Sequence, residues 1–142
     1  MTTRYFALVF GIAFLLAGIL GFIPGLLTEP VGGPDLAVDA GYGLLLGLFP
    51  VNILHNIVHI ALGVWGIAAW RTFTASRAYG RGLAVIYVVL AVMGLIPVLN
   101  TTFGLVPLWG HDIWLHALSA IVAAYFGWAA QPVATDLNTP LR

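Results

Sequence analysis

An all-α integral membrane protein, a bundle of four transmembrane helices, is the fold class this sequence predicts. Three observations carry the expectation. Of 142 residues, 61% are hydrophobic and only 7% are charged, where a soluble domain carries about 25% charged residues; mean hydropathy is +1.04. Four stretches approach the roughly 20 mostly apolar residues that a bilayer-crossing helix requires. The five arginines all fall on one side of those stretches.

The expected spans are residues 5–26, 51–70, 80–99 and 113–130 of a single domain, 1–142. The first follows Arg4, as a signal sequence would, but it is longer than a signal core and lacks a clear small-residue cleavage site, so it reads as retained. The segment 27–50 opens with Pro30, Gly32, Gly33 and Pro34 and turns apolar at "GYGLLLGLF". That run is too short to span, and a brief helix lying on the membrane surface is expected there. "RTFTASRAYGRG" reads as a short polar loop that makes the second and third helices antiparallel neighbours. Residues 131–142, with Pro132 and Pro140, read as a loosely ordered tail.

Orientation follows from charge. Arg4, Arg71, Arg77, Arg81 and Arg142 lie on one side, and Glu29, Asp35, Asp39 and Asp112 on the other. Arginine-rich short loops stay cytoplasmic, so both termini are expected inside a multi-pass inner membrane. Trp70, Trp109, Trp114 and Trp128 sit near span ends, as interfacial tryptophans do. The net charge is zero, and five arginines do not make the basic surface that nucleic acid needs. With neither cysteine nor lysine, the chain has no disulfides, thiolate ligands, cysteine nucleophiles or Schiff-base chemistry.

An internal repeat is visible. "GFIPGL" closes the first helix and "GLIPVL" the third; "GLFP" precedes the second and "GLVP" the fourth. Aligning His55 with His116 also aligns Gly66 with Gly127. The chain therefore reads as a duplicated helix pair with parallel orientation, its copies related by a pseudo-two-fold axis along the membrane normal.

The second expected span carries Asn52, His55, Asn56 and His59 on an arc of about 100° at 3.6 residues per turn. The fourth carries Asp112, His116 and Ser119 on one face, with His111 at its rim. Lipid offers no hydrogen-bond partner, so both stripes should face the bundle interior, in the outer half of the membrane. Several roles are open to them. The polar groups can be interhelical hydrogen-bond glue. They can bind a metal ion through His55, His59 and His116, with Asp112 as a ligand or as the acceptor that fixes a ring. They can hold a haem or chlorophyll through the same histidines. In the ligand readings Asn52, Asn56, Ser119 and His111 form the surrounding shell. A hydrolase is disfavoured: Asp112, His116 and Ser119 share one helix face, and nothing supplies an oxyanion hole. A proton path is disfavoured too, because no acidic or histidine residue lies in the inner half of any span.

"GLFPVNILHNIVHIALGVWG" and "GLVPLWGHDIWLHALSAIVAAYFGW" resemble a family of small bacterial four-helix membrane proteins known as a domain of unknown function. The resemblance runs from Tyr5 to Trp128, and its most specific marks are Asn52-x-x-His55-Asn56-x-x-His59 and Asp112-x-x-x-His116. It implies a four-span inner-membrane or thylakoid-type protein and, because members occur in photosynthetic bacteria, an accessory role beside pigment complexes. The expected function is thus a non-enzymatic module that binds a metal ion or tetrapyrrole. The alternative is a structural subunit of a larger membrane complex. Its surroundings are the bilayer and, in the second case, other membrane subunits.

Overall fold

A computed structural model describes residues 2–132 and contains four α-helices: α1 (Thr3–Leu20), α2 (Ile53–Ala69), α3 (Phe73–Gly94) and α4 (His111–Ala124), the last running into one π-helical turn, Tyr125–Ala129. Among the described residues, three helices are long and apolar enough to cross a membrane: Thr3–Leu20, Phe73–Gly94 and His111–Ala129. The 17-residue α2 is apolar but shorter. Helix α1 packs chiefly on α2, and α3 on α4. Large apolar side chains point outward on every helix, among them Val9, Leu16, Val64, Val88, Val92 and Ile121. Asn52, Asn56, Ser76, Asp112 and His116 point inward. This inversion of the soluble pattern suits a lipid solvent, which satisfies hydrocarbon and leaves polar groups to one another.

Both helix pairs close through glycine. A Cβ at Gly11 of α1 would lie 2.7 Å from the Ile67 amide nitrogen, and one at Gly63 of α2 would lie 2.6 Å from that of Leu15. In the other pair, a Cβ at Gly127 would lie 2.9 Å from the Arg81 nitrogen. Such approach is the usual means of gaining dispersion contacts between helices in lipid, where the hydrophobic effect does not drive them together. An aromatic and aliphatic core joins the pairs: Phe6 stacks on Phe126 with centroids 4.6 Å apart, beside fully buried Tyr79 and Leu83.

Helix α3 starts well before residue 80. Thr72 caps it, its side chain accepting from the Ala75 amide at 3.1 Å, and the Ser76 hydroxyl donates to the Ala69 carbonyl at 2.9 Å. The expected polar loop is thus mostly the first turns of a helix: polarity ended the apolar stretch but not the helix. A threonine cap marks that start.

The segment between α1 and α2 also departs from expectation. "GYGLLLGLF" is no surface helix. Strands β1 (Leu27–Thr28), β2 (Gly43–Leu45) and β3 (Phe49–Val51) form an antiparallel sheet in the order β1-β2-β3, with Leu44 opposite Pro50. Leu46 (φ 54°) and Gly47 (φ 73°) make the β2–β3 turn. Two consecutive positive-φ residues match the right-handed twist of a hairpin, and the glycine adopts this conformation at no steric cost. Pro50 fits because β3 is an edge strand. The fold is therefore helical with a small β cap.

That cap ties the two halves together. The Ala37 and Val38 amides donate to the Gly104 carbonyl at 2.9 and 3.1 Å. Trp109 Nε1 donates to the Tyr42 hydroxyl at 3.0 Å, which donates to the Pro34 carbonyl at 3.1 Å. Burial raises the Tyr42 pKa, against the opposing pull of the Trp109 hydrogen bond, so the phenol keeps the proton it donates. At the opposite end, arginines cover helix C-termini. Arg4 Nε donates to the Trp70 carbonyl at 3.0 Å, while Arg77 Nε and Arg81 Nε both donate to that of Gly127, at 3.0 and 2.9 Å. Arg142 and residues 133–142 of the expected tail lie outside the described residues.

Candidate metal centre

Asn52 builds the entrance to the site. Its side-chain oxygen accepts from the His55 amide at 2.9 Å and so caps α2. Its Nδ2 donates to the carbonyls of Val38 (2.8 Å) and Leu105 (2.7 Å). One fully buried side chain therefore starts the helix and pins both cap loops over it.

One turn further, His55 and His59 point the same way and share a hydrogen bond between their Nε2 atoms, 3.0 Å apart. His116 approaches from α4, its ring centroid 6.5 Å from that of His55. One ligand nitrogen from each of the three histidines lies within 4.8 Å of the others, a set that could hold a metal ion. Tetrahedral zinc with Zn–N bonds of about 2.0–2.1 Å holds its nitrogens about 3.3 Å apart. Asp112 stands behind His55, Oδ2 3.8 Å from Nδ1, and both residues are buried. A carboxylate on the far nitrogen of an imidazole fixes its tautomer and orientation, as behind most metal-bound histidines.

The polar atoms here are not all used. Among the described residues, His55 Nδ1, His116 Nδ1, Asp112 Oδ2, Asn56 Nδ2 and Tyr87 Oη are buried without a hydrogen-bond partner. An orphaned buried polar group costs roughly 1–3 kcal/mol, so several in one place need a reason. Two cavities flank the histidines. The larger, about 280 Å³, lies between α1, the sheet, α2 and α4 and reaches His55, His59, Asn56 and Asp112. The smaller, about 180 Å³, reaches all three histidines and Tyr87.

The other expected site residues divide. Ser119 is buried on the His116 face of α4. Asn56 is buried against α1, where a Cβ on Gly21 would overlap its side-chain amide. His111 is not with the cluster: it is exposed, and its Nδ1 accepts from Trp114 Nε1 at 2.9 Å. Two residues join the site unannounced. Tyr87 of α3 lies with its ring 5.0 Å from that of His116, and Phe14 of α1 meets His59 edge-on at 5.5 Å. A phenol in the middle of "VIYVVL" was the available signal for Tyr87, since a buried tyrosine normally finds a polar partner. Phe14 carried none.

The chain belongs to the family described as Domain of unknown function (DUF4383), whose model matches residues 4–129. No curated protein and no solved structure matches it.

Proposed function

We propose that this chain, a one-domain member of that family, is a membrane-embedded metal-binding module. In this reading His55, His59 and His116 ligate a transition-metal ion, and Asp112 orients His55 from behind. The observation that carries it is the convergence of three imidazoles from two helices around one point, next to buried polar atoms left unpaired. Helix glue is the less economical account: His55 and His59 share one hydrogen bond through their Nε2 atoms, but glue consumes its donors and acceptors, and His116 Nδ1, Asn56 Nδ2 and Tyr87 Oη find no hydrogen-bond partner among the described residues. A tetrapyrrole fits less well. Two axial histidines grip a haem from opposite faces, about 4 Å apart across the iron, whereas His55 and His59 stand side by side at 3.0 Å. Three neutral nitrogen ligands and no thiolate suit zinc, copper, nickel or iron.

We take α2 as the fourth span. Its 17 residues give about 25 Å of helix, near the lower limit for crossing, and it packs along α1 from Asn56, against Gly18, to Ile67, against Gly11. Glycine-closed pairs in both halves support descent from a duplicated pair. Arginines at one end support cytoplasmic termini in a multi-pass membrane protein. Single cysteines in place of Arg71 and Val31, both exposed, should label from opposite sides of sealed vesicles; labelling from one side would remove the four-span topology.

Elemental analysis and a visible absorption spectrum of the full chain, purified gently from its membrane, test the metal. The expected result is one transition-metal ion per chain, lost in His55→Gln and in His116→Gln while both variants still insert. A chain that takes up neither zinc nor cobalt would return the cluster to glue, and a Soret or chlorophyll band would replace the ion with a ring.

A further inference from the structure

We infer that the open coordination position of the His55–His59–His116 centre faces the smaller cavity and takes the oxygen-donor head of a lipophilic molecule arriving from the bilayer, with the Tyr87 hydroxyl donating to that oxygen. The inference rests on the metal reading above and goes beyond it in naming the ligand and its route.

Three observations lead there. Of the two cavities beside the histidines, only the smaller is lined by all three, so a ligand completing the coordination sphere has its space on that side. Tyr87 lines the same cavity, is 1% exposed, and its hydroxyl has no partner among the described residues. A buried phenol without an acceptor is where a hydrogen bond to a bound oxygen would form. The remaining wall is largely aliphatic, including Val58, Leu90 and Val106, and contains no arginine. Val58 is 45% exposed on an outward helix face, so the mouth opens toward lipid rather than toward the arginine end. A volume of about 180 Å³ holds a small head and a few carbons. With no cationic side chain, the cavity selects against phosphate and other multiply charged heads.

The probe is a pair of hydroxamates with the same oxygen-donor head and different tails, acetohydroxamate and octanehydroxamate. They are titrated into the full chain loaded with Co(II) in phosphatidylcholine vesicles, and the Co(II) ligand-field spectrum is read. Octanehydroxamate should shift the spectrum at concentrations about tenfold or more below acetohydroxamate, because its tail partitions into the route. Tyr87→Phe should weaken that shift about tenfold, the value of one good hydrogen bond, with Co(II) affinity unchanged. Val58→Trp should block octanehydroxamate and leave Co(II) bound. A histidine-bound cobalt whose spectrum neither compound moves would overturn the inference while leaving the metal reading standing. Equal potency of the two tails would overturn the bilayer route, and an unchanged titration in Tyr87→Phe would remove Tyr87 from the site. A parent chain that binds neither cobalt nor zinc would overturn both readings at once.

Discussion

The two ends of this bundle treat buried polarity in opposite ways. At the arginine end, Arg4, Arg77 and Arg81 donate to carbonyls at the C-termini of α2 and of the π turn after α4. Those carbonyls have no partner within their own helices, and cations there also meet the negative pole of the helix dipole. Apart from the Thr3 hydroxyl, which is buried without a partner among the described residues, donors and acceptors there match, and the arrangement explains itself as structure. At the histidine end, Asn52 is just as fully used. The groups below it are not: His55, His116, Asp112, Asn56 and Tyr87 each keep a buried atom unpaired, and two cavities lie beside them. Polar residues in a membrane thus fall into two kinds, those that complete the fold and those held by it for something else. What separates them is hydrogen-bond satisfaction, not burial.

Substitutions at each end put that contrast at risk. The largest expected effect is on metal affinity: replacing both His59 and His116 with Gln should reduce it more than 100-fold, since losing even an outer partner costs 10–100-fold. Thermal unfolding of the metal-free protein should move by no more than about 1 kcal/mol in the same variant. If instead the metal-free protein unfolds, the histidines were structural and the two ends are alike. Next comes Asn52→Ala, which removes a helix cap and strands the carbonyls of Val38 and Leu105. It should cost about 2–3 kcal/mol of stability in denaturant titration, and a loss below 0.5 kcal/mol, roughly that of a surface change, would mean that the cap loops hold without it. Asp112→Asn should lower metal affinity about tenfold with little change in folding; an affinity equal to the parent's would show that His55 needs no carboxylate behind it. The smallest effect belongs to Arg81→Met. Arg77 still donates to the Gly127 carbonyl, so stability should fall by about 1 kcal/mol or less and metal content should stay the same. A loss of metal from this variant would couple the two ends and erase the distinction.

Much of this was legible in the chain itself. Apolar runs located the helices, because helix length in lipid is set by hydrocarbon thickness. The i,i+4 spacing placed His55 and His59 on one face, because helical geometry is local. Arginine placement indicated which ends would gather together. The errors came where a local pattern had two solutions. "GYGLLLGLF" is apolar enough for a surface helix, and pairing with Leu27–Thr28 across the loop made it a sheet instead. "RTFTASRAYG" is polar enough for a loop, and Thr72 capped it into α3.

The sequence by itself determined that the chain is mostly apolar helix, long enough in places to cross a membrane, and the helix face on which His55 and His59 stand, for these follow from composition and from the 3.6-residue period. Only the tertiary structure decided which faces meet. It brought His116 of α4 to the two histidines of α2, set Asp112 behind His55, added Tyr87 from a helix with no polar stripe, and sent His111 outward to Trp114. It also decided which polar atoms found partners and which did not. The physical reason is that hydrogen-bond satisfaction and coordination depend on distances between helices, which glycine contacts and loop clasps set and no local periodicity encodes.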